Sequence, residues 1–429
     1  FQAHDAVTIV GRYCSIFMFS ASDGSRPLQS FTISGTVFPV FPPLVRLLFK
    51  LHYKNAALQR FRPMKAVVVT GMNEYGVEDI ETLPPGSNDI RVQMKACGLC
   101  MSDHHVISGT MPTPMPCVIG HEGAGIVVEA GQAVTRLAVG DHVILNFSPA
   151  CGRCDLCERG LHYCAAWPEE YKLGGLQRDG SHRHQRPGGE RAGAFRGLGC
   201  MAEETVVHED CAVRVDPAVD LARACVVSCG VMTGAGAAIN TGGVRPGDSV
   251  AVFGCGGVGL NAVQGARIAG ATRIIAVDLS EHKLELAQQL GATHTVNGTQ
   301  VDAVQRIMEL TDGAGVEVAL ECVGAPALMR QAFDSAGKMG KAVVVGVAPP
   351  DQEVSVNAFD LLKTGKCLCG HKASGAHSGQ FIASLIGHYQ AGKLDLDTLV
   401  SRTYRIEDIG QAVDDLLNNA NARGVIVFD

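Results

Sequence analysis

Four cysteines in the middle of the chain have the spacing of a metal site. They are Cys151, Cys154, Cys157 and Cys164. Four thiolates at such a spacing can converge on one tetrahedral ion, and zinc is the usual occupant of such sites. Disulfide bonds are the alternative, but they need an oxidising compartment and are typical of short secreted chains. Clustered cysteines in a chain of 429 residues favour a metal instead.

A second group of chemically active side chains precedes this loop. It contains a thiol, a hydroxyl, carboxylates and imidazoles: Cys100, Ser102, Asp103, His105, His121 and Glu122. Thiolates and imidazoles bind zinc, and carboxylates orient such ligands. Spacing alone leaves other interpretations open, since Cys97 and Cys100 could form a redox pair and His121 could be a core histidine. Cys229 lies far along the chain and, taken alone, is typical of a buried structural cysteine.

The third group is a glycine-rich loop whose residues are Gly254, Cys255, Gly256, Gly257, Val258 and Gly259. An apolar run precedes it and a helical pattern follows, which is the context of a dinucleotide-binding loop. Gly254 allows the tight turn, Gly256 lets the backbone approach a pyrophosphate, and Gly259 permits close helix–strand packing. Asp278 ends the next apolar run about 20 residues later, where a carboxylate binds ribose hydroxyls and repels a 2′-phosphate. The pattern predicts NAD rather than NADP, and a glycine-rich turn without a ligand is the alternative.

The composition argues against several classes of protein. A chain that is 46% hydrophobic and 18% charged, with 51 glycines, indicates an α/β protein with glycine-rich turns rather than a disordered one. The net charge of −7 and the lack of a basic stripe argue against nucleic acid as a partner, and so against a zinc-ribbon nucleic-acid binder. No apolar run reaches the roughly 18 residues of a membrane span.

The pattern of the chain changes twice along its length. Residues 1–63 are poor in acids and show no clear helical or strand period, so we interpret them as extraneous to the fold or as a transit peptide. Short strand patterns follow, together with a polar, Gly- and Arg-rich stretch at 165–200 that we interpret as a long functional or mobile loop. After Cys229, apolar runs alternate with helical patterns, which predicts a doubly wound parallel sheet.

From Met64 onward the chain resembles the zinc-containing medium-chain alcohol dehydrogenases, including class III-like and nicotinoprotein-like bacterial members. The matching segments are residues 97–105, 120–125, 140–143, the four-cysteine loop, 228–234 and the glycine loop. The resemblance implies an α/β fold with a GroES-like, mainly-β catalytic domain and a Rossmann domain. The expected boundaries are 64–230 for the catalytic domain with its zinc loop at 151–164, 231–370 for the Rossmann domain, and 371–429 for a return to the catalytic domain.

The resemblance also assigns catalytic roles. It implies that Cys100, His121 and Cys229 bind a catalytic zinc, whereas Cys97 does not. Ser102 would hold the alcohol hydroxyl and His105 would continue a proton relay through the cofactor ribose. The remaining expectations concern residues around the metal: Asp103 orients His121, Glu122 tunes the metal field, and Phe147 and Met111 form opposite walls of the substrate pocket.

Cofactor contacts follow from the same resemblance. Thr233 and Val258 would pack at the nicotinamide, and Lys283 would cover the adenosine ribose beside Asp278. Arg423 would reach the pyrophosphate. Met101 departs from the family pattern, in which Arg or His often contacts the cofactor phosphate, and this departure predicts looser NAD binding unless another cation substitutes. In the opposite direction, residues 102–105 and 223–236 resemble a subgroup that keeps its NAD tightly bound. Six residues separate Cys157 from Cys164, where the family commonly has seven.

These observations predict a zinc- and NAD-dependent alcohol dehydrogenase with two zinc ions per subunit. A nicotinoprotein that keeps NAD bound, a zinc-dependent aldehyde or thiol-adduct dehydrogenase, and a non-catalytic NAD-binding relative are the alternatives. The expected partners are a small alcohol or aldehyde and further copies of the chain, as a dimer or tetramer, with neither nucleic acid nor membrane. The expected location is cytoplasmic.

Overall fold

The computed structural model describes residues 63–161, 163–168 and 173–429, and every structural statement below refers to these residues. Both interpretations of residues 1–63 therefore concern residues outside the described part, apart from Pro63. No single described helix is long and apolar enough to cross a membrane. The helices Leu221–Ser228 and Gly230–Gly242 together have the length and apolar composition of a membrane span, but the chain bends by 53° between them.

A strand-rich part begins at Met64. Its strands are β1 (Met64–Gly71), β2 (Glu74–Thr82), β3 (Asp89–Leu99), β4 (Cys117–Val118), β5 (Glu122–Ala130), β6 (His142–Leu145), β7 (His184–Gln185), β8 (Arg191–Ala194), β9 (Glu204–His208) and β10 (Ala212–Val215). β1, β2, β7, β8 and β4 form a closed barrel, while β10, β6, β5 and β3 lie side by side in a second sheet. Apolar residues alternate along β3, where Ile90, Val92 and Met94 are fully buried, as a sheet with one core-facing side requires.

The helices that the structure describes in the strand-rich part are short. They are α1 (Met101–Ile107), α2 (Asp155–Glu158), α3 (Leu221–Ala224) and α4 (Gly230–Gly236), with 3₁₀ turns at Phe195–Gly197, Glu209–Cys211 and Cys225–Ser228 and a π-helical turn at Ala237–Gly242. The interpretation of 165–200 as one long loop is wrong in part, because β7 and β8 pair with each other there and close the barrel. Strands of two and four residues are too short to show a period in the sequence.

The next part is a six-stranded parallel sheet. Its strands are β11 (Ser249–Phe253), β12 (Arg273–Asp278), β13 (His294–Asn297), β14 (Val316–Glu321), β15 (Ala336–Val344) and β16 (Cys367–Gly370), in the order β13-β12-β11-β14-β15-β16. The helices between them are α5 (Gly257–Ala269), α6 (Glu281–Gln289), α7 (Ala303–Leu310), α8 (Pro326–Ser335) and α9 (Ala358–Thr364). Every residue of β11 is buried, as expected for a strand covered by helices on both faces.

The last elements return to the strand-rich part. They are α10 (Ser378–Gln390), β17 (Val400–Tyr404), the 3₁₀ turn Ile406–Asp408, α11 (Ile409–Leu417) and β18 (Arg423–Val427). β18 pairs antiparallel with β3, so that Gly424 faces Leu99, and it pairs in parallel with β17. The predicted fold class, a GroES-like mainly-β part with a Rossmann sheet, is confirmed. The exact domain boundaries stay predictions.

Candidate metal and nucleotide centre

The junction between β3 and α1 positions the first cysteine of the site. Cys100 lies at the N-terminus of α1, and its backbone N–H donates to Oδ2 of Asp103 over 3.0 Å. The other carboxylate oxygen accepts from the Gly120 backbone N–H at 2.9 Å and lies 3.2 Å from Nδ1 of His121. Gly120 has a φ of +95°, and a Cβ there would overlap the backbone of Met201. The fully buried Asp103 carboxylate therefore fixes both Cys100 and His121.

Residues from three distant segments meet beside this carboxylate. The possible ligand atoms of Cys100, His121, Glu122 and Cys229 all lie within 4.8 Å of one another, and all four residues are buried. Cys229 reaches the cluster from the break between a 3₁₀ turn and α4. Nε2 of His121 is buried without a hydrogen-bond partner among the described residues, while Nδ1 faces Asp103. An imidazole held in this way beside two thiols fits a zinc ion.

The pKa values of the two thiols of this cluster shift in opposite directions. The hydrogen bond with Cys229 lowers the pKa of the Cys100 thiol well below its usual range. The same hydrogen bond raises the pKa of the Cys229 thiol well above its usual range. Burial lowers the pKa of His121, but Asp103 and Cys100 outweigh burial and raise that pKa well above its ordinary value. The pocket thus favours the thiolate form of Cys100 and the thiol form of Cys229.

A buried ion pair lies next to the thiols. Nη2 of Arg423 donates to Oε2 of Glu122, and the backbone N–H of Gly230 donates to Oε1 at 3.3 Å. Burial raises the pKa of Glu122 to about 7, although Arg423 acts in the opposite direction. The Cδ atom of Arg423 lies 2.8 Å from the position that a Cβ on Gly257 would take. Arg423 therefore joins the thiol cluster to the glycine loop, a contact that the sequence alone does not reveal.

The glycine loop has the geometry of a phosphate site. Gly254 turns at a φ of +88°, and the Cys255 backbone N–H donates to the Asp278 carboxylate at 2.7 Å. The 13-residue helix α5 starts at Gly257, and no atom lies within 4 Å of a Cβ built on Gly256. Nε of Arg423 is buried there without a partner among the described residues. Open space at a helix N-terminus beside a buried cation fits a pyrophosphate.

The other predicted cofactor residues surround this loop. Thr233 lies on α4, next to Gly234, which is so close to Val258 that a Cβ there would overlap the Val258 carbonyl oxygen. Val258 is half-buried on the first turn of α5. Lys283 is half-buried on α6, near enough to Cys255 to lower the pKa of that thiol, although burial dominates and raises it. The structure thus gathers these residues around the carboxyl ends of β11 and β12.

Ser102 and His105 lie on successive turns of α1. Oγ of Ser102 is 4.0 Å from Sγ of Cys100, so the hydroxyl lies beside the candidate metal position. His105 is half-buried on the same helix. No direct hydrogen bond joins the Ser102 and His105 side chains in the described part of the chain, so a relay between them needs an intervening hydroxyl. Cys97 does not pair with Cys100, since its sulfur lies 3.6 Å from that of Cys200.

Two aromatic rings enclose the candidate ligand histidine. Phe147 and Phe195 meet the His121 ring edge-on, with centroids 5.8 Å and 5.2 Å away. Cζ of Arg196 lies 5.8 Å from the Phe147 centroid and 5.6 Å from that of Phe195. The family resemblance predicts Phe147 beside the metal position, whereas nothing in the sequence predicts Phe195 and Arg196 there. Their only local signal is the polar stretch around them, which does not show where they pack.

The four-cysteine loop is also gathered into one cluster. Sulfur atoms of Cys151, Cys154, Cys157 and Cys164 lie within 4.8 Å of one another. Cys154 lies at the N-terminus of α2. Hydrogen bonds from backbone N–H groups, of which that of Cys157 has the largest effect, lower the pKa of the Cys154 thiol to about 6. The backbone N–H of Cys151 donates to Sγ of Cys164 at 3.3 Å. The shortened spacing therefore does not remove Cys164 from the cluster, and four sulfurs fit a structural zinc.

Known proteins similar to this chain show its family. A family model for the alcohol dehydrogenase GroES-like domain matches residues 86–217, and one for zinc-binding dehydrogenases matches residues 257–385. A Saccharomyces cerevisiae relative, S-(hydroxymethyl)glutathione dehydrogenase, is 35% identical over 378 residues, which cover 86% of this chain and 97% of the relative.

Two solved structures extend the likeness to the fold. An alcohol dehydrogenase zinc-binding domain protein from Burkholderia ambifaria has a TM-score of 0.82 and 36% identity, over 86% of this chain and 99% of that one. Benzyl alcohol dehydrogenase from Acinetobacter calcoaceticus has a TM-score of 0.81 and 34% identity, over 86% of this chain and 100% of that one. Both the sequence and the three-dimensional arrangement therefore match over nearly all of each relative.

Proposed function

Because the chain belongs to the zinc-containing medium-chain alcohol dehydrogenase family, we propose that it transfers hydride between a small primary or secondary alcohol and NAD. The observation that carries this proposal is the buried meeting of Cys100, His121 and Cys229 next to the glycine loop. In the forward direction the alcohol carbon loses a hydride to NAD⁺ and the hydroxyl loses a proton. The products are an aldehyde or ketone, NADH and one proton.

Zinc bound at this cluster would supply Lewis acidity that eases deprotonation of the alcohol, and NAD would supply the hydride acceptor. We assign Cys100, His121 and Cys229 as the ligands. Glu122 is engaged by Arg423 and by the Gly230 backbone, so we place it outside the ligand set. Three protein ligands are typical of a catalytic zinc, whose fourth position is left for substrate.

Side chains on α1 would manage the proton. The Ser102 hydroxyl lies beside Cys100, where it can accept the proton of a substrate hydroxyl while donating its own onward. His105 lies on the next turn, and the ribose of NAD would bridge the gap between them. Asp103 holds His121 by Nδ1, which keeps Nε2 available as a ligand.

NAD would lie along the carboxyl ends of the parallel strands. We assign the pyrophosphate to the N-terminus of α5 and to Arg423, and the adenosine ribose to Asp278 and Lys283. Thr233 and Val258 would contact the nicotinamide. Met101, 40% exposed, cannot replace an Arg or His that binds phosphate, so Arg423 carries that charge contact.

We also propose that the four-cysteine loop holds a structural zinc and that the chain forms a homo-oligomer. Among the described strands, β16 lies at the edge of the parallel sheet next to β15, and large apolar side chains are exposed in the segments around it. They are Met339, Val347, Phe359 and Leu362. Pairing of β16 across a two-fold axis would cover both the unpaired edge and the apolar side chains. Light scattering of the purified protein tests this assembly.

Elemental analysis together with NADH absorbance tests the function. Two zinc ions per subunit and NADH formation from benzyl alcohol or straight-chain alcohols are expected. Two zinc ions with no NADH, but with aldehyde formed when an artificial electron acceptor is present, would indicate a nicotinoprotein. No turnover with either acceptor in the zinc-loaded protein would overturn the enzymatic assignment.

A further inference from the structure

Tyr404 is a buried residue at the end of β17, and its hydroxyl has two hydrogen-bond partners. The hydroxyl donates to Oδ2 of Asp415 at 2.6 Å and accepts from Nδ2 of Asn421 at 2.8 Å. Burial, followed by the hydrogen bond to Asp415, raises the pKa of Tyr404 to about 12, so the hydroxyl keeps the proton that it donates. One hydroxyl thus connects α11 to the turn that precedes β18.

The two partners depend on this hydroxyl to different degrees. Asp415 also accepts from Nη1 of Arg402 at 2.5 Å and from Nε2 of Gln411 at 2.8 Å, so its charge stays paired without Tyr404. For the Asn421 side chain, the Tyr404 hydroxyl is the only hydrogen-bond partner within the described residues, and Oδ1 of Asn421 is buried without one. Loss of the hydroxyl would therefore release the turn and leave the aspartate paired.

This turn leads directly to Arg423, the first residue of β18. Just before it, the backbone N–H of Ala422 donates to Oγ of Ser401 at 3.0 Å. Just after it, the Tyr404 ring packs so closely on the backbone that a Cβ on Gly424 would lie 2.9 Å from Cε2 of the ring. Side chains of β17 thus hold the backbone on both sides of Arg423, which lowers the entropy that this long side chain loses on binding a ligand.

We propose that Tyr404 is a positioning residue for NAD, which acts through Asn421 on the cation that meets the pyrophosphate. The inference rests on the proposed function, in which Arg423 makes that charge contact. Arg423 is buried, its Nη2 donates to Glu122, and its Nε has no partner among the described residues. Its Cδ lies 2.8 Å from the position of a Cβ on Gly257, so a displaced backbone would move the side chain against the glycine loop or away from it.

Removal of the hydroxyl tests the proposal through NAD binding rather than turnover. Tyr404→Phe keeps the ring that packs on Gly424 and removes both hydrogen bonds. Calorimetric titration of the zinc-loaded, NAD-free protein with NAD⁺ should give a dissociation constant about 3- to 30-fold higher than that of the wild type, the range for residues that act through a packed network. Binding of adenosine, which lacks the pyrophosphate, should change by less than about twofold.

A second variant makes the test independent of the tyrosine. Asn421→Ala should weaken NAD⁺ binding by a similar factor. The double variant with Tyr404→Phe should bind within about twofold of the weaker single variant, because both substitutions remove the same hydrogen bond. Tyr389→Phe is the matched control, since it removes another hydroxyl that contacts an aspartate, 3.4 Å from Oδ1 of Asp397, and should leave the affinity for NAD⁺ unchanged.

The outcomes distinguish this inference from the function on which it rests. Equal affinity for NAD⁺ in the wild type and both single variants would overturn the role of Tyr404. An equal loss of affinity for NAD⁺ and adenosine would also overturn it, because the substitution would then act on the whole nucleotide site rather than at the pyrophosphate. Losses that add fully in the double variant would reject the path through Asn421. Zinc-loaded wild type that neither binds NAD⁺ nor turns over any alcohol would instead overturn the proposed function.

Discussion

Two clusters of cysteines lie in the strand-rich part of the molecule, and the chain assembles them in different ways. The four-cysteine loop takes all its sulfurs from 14 consecutive residues around a single short helix, α2. The Cys100 cluster takes its groups from the end of β3, the start of β5 and the N-terminus of α4. The first is a local fold around a candidate metal site, whereas the second forms only when distant segments have come together in the tertiary structure.

The surroundings of the two clusters differ as well. Cys151 and Cys154 are partly exposed, and backbone N–H groups lower the pKa of the Cys154 thiol, whereas burial raises the pKa values of Cys157 and Cys164. Around Cys100, buried Asp103 and the Glu122–Arg423 pair supply fixed charges from other elements. A cluster of four sulfurs has no open ligand position and therefore suits a stabilising role. A cluster of two thiols and an imidazole, held by buried charges from other elements, suits a role in chemistry.

Removing a ligand from the mixed cluster should have the largest effect on activity. Cys100→Ser should reduce kcat/KM by more than the roughly 10- to 100-fold that follows loss of an outer hydrogen-bond partner. Zinc content should fall from two ions to one, with little change in the melting temperature. Elemental analysis and steady-state assays measure both. Retention of both ions with near-normal activity would show that Cys100 is not a ligand.

The matching change in the local cluster should act on stability. Cys154→Ser should lower the free energy of unfolding by about 2–5 kcal/mol, as loss of a native crosslink does in small domains. Activity per folded molecule should remain within about twofold of wild type, because Cys154 lies outside the set of groups that we assign to chemistry. Denaturant unfolding and active-site titration measure the two quantities. Cys367→Ser, at an exposed cysteine outside both clusters, is the matched control and should change neither.

A buried histidine in the barrel makes the stability of the protein depend on pH. His184 is fully buried, and burial lowers the pKa of its imidazole to about 4. An unfolded histidine has a pKa of about 6.5, so between these values the unfolded chain binds more protons and stability falls with falling pH. The wild type should lose up to about 3 kcal/mol more than His184→Gln between pH 6.5 and pH 4. Denaturant unfolding at several pH values measures this difference. An equal loss of the free energy of unfolding in the two proteins across this range would contradict the prediction.

Asp103, a carboxylate next to the candidate ligands, provides a further test of the difference between the two clusters. Asp103→Asn keeps the shape of the side chain but removes the charge that orients His121, and should reduce zinc affinity or activity by about 10- to 100-fold. Asp155→Asn makes the same change on α2, where the side chain is 80% exposed beside Arg159, and should have almost no effect. Chelator competition and steady-state assays measure the pair. Equal effects of both substitutions would mean that the carboxylates act only through general electrostatics.

The local features of the molecule were predictable from the sequence. The four cysteines, the glycine loop and the alternation of strands and helices are each encoded within a short segment, and the fold class and the zinc and NAD cofactors are confirmed at the level of the family. The short strands β7 and β8 were missed, because neither is long enough to show alternation.

Contacts between distant segments could not be obtained in this way. The pairing of Glu122 with Arg423 joins residues 301 positions apart, and its only sequence signal is resemblance to a family. Phe195 and Arg196 lie in a stretch whose polarity suggests a loop, although the Phe195 ring is completely buried against His121. The sequence also does not show that the Cys97 thiol contacts the Cys200 thiol rather than that of its neighbour Cys100. Side-chain positions of this kind depend on how the sheets pack.

The pairing of β18 with β3 imposes an order on synthesis. β3 is among the first described strands to leave the ribosome, but its partner follows only after the whole parallel sheet has been translated. The parallel sheet can fold as a unit meanwhile, whereas residues 96–99 of β3 wait for the partner strand that β18 provides. Arg423 arrives with β18, so the buried carboxylate of Glu122 gains its counter-charge at that last step. The strand-rich part that is translated first is therefore completed last, when β18 pairs with β3.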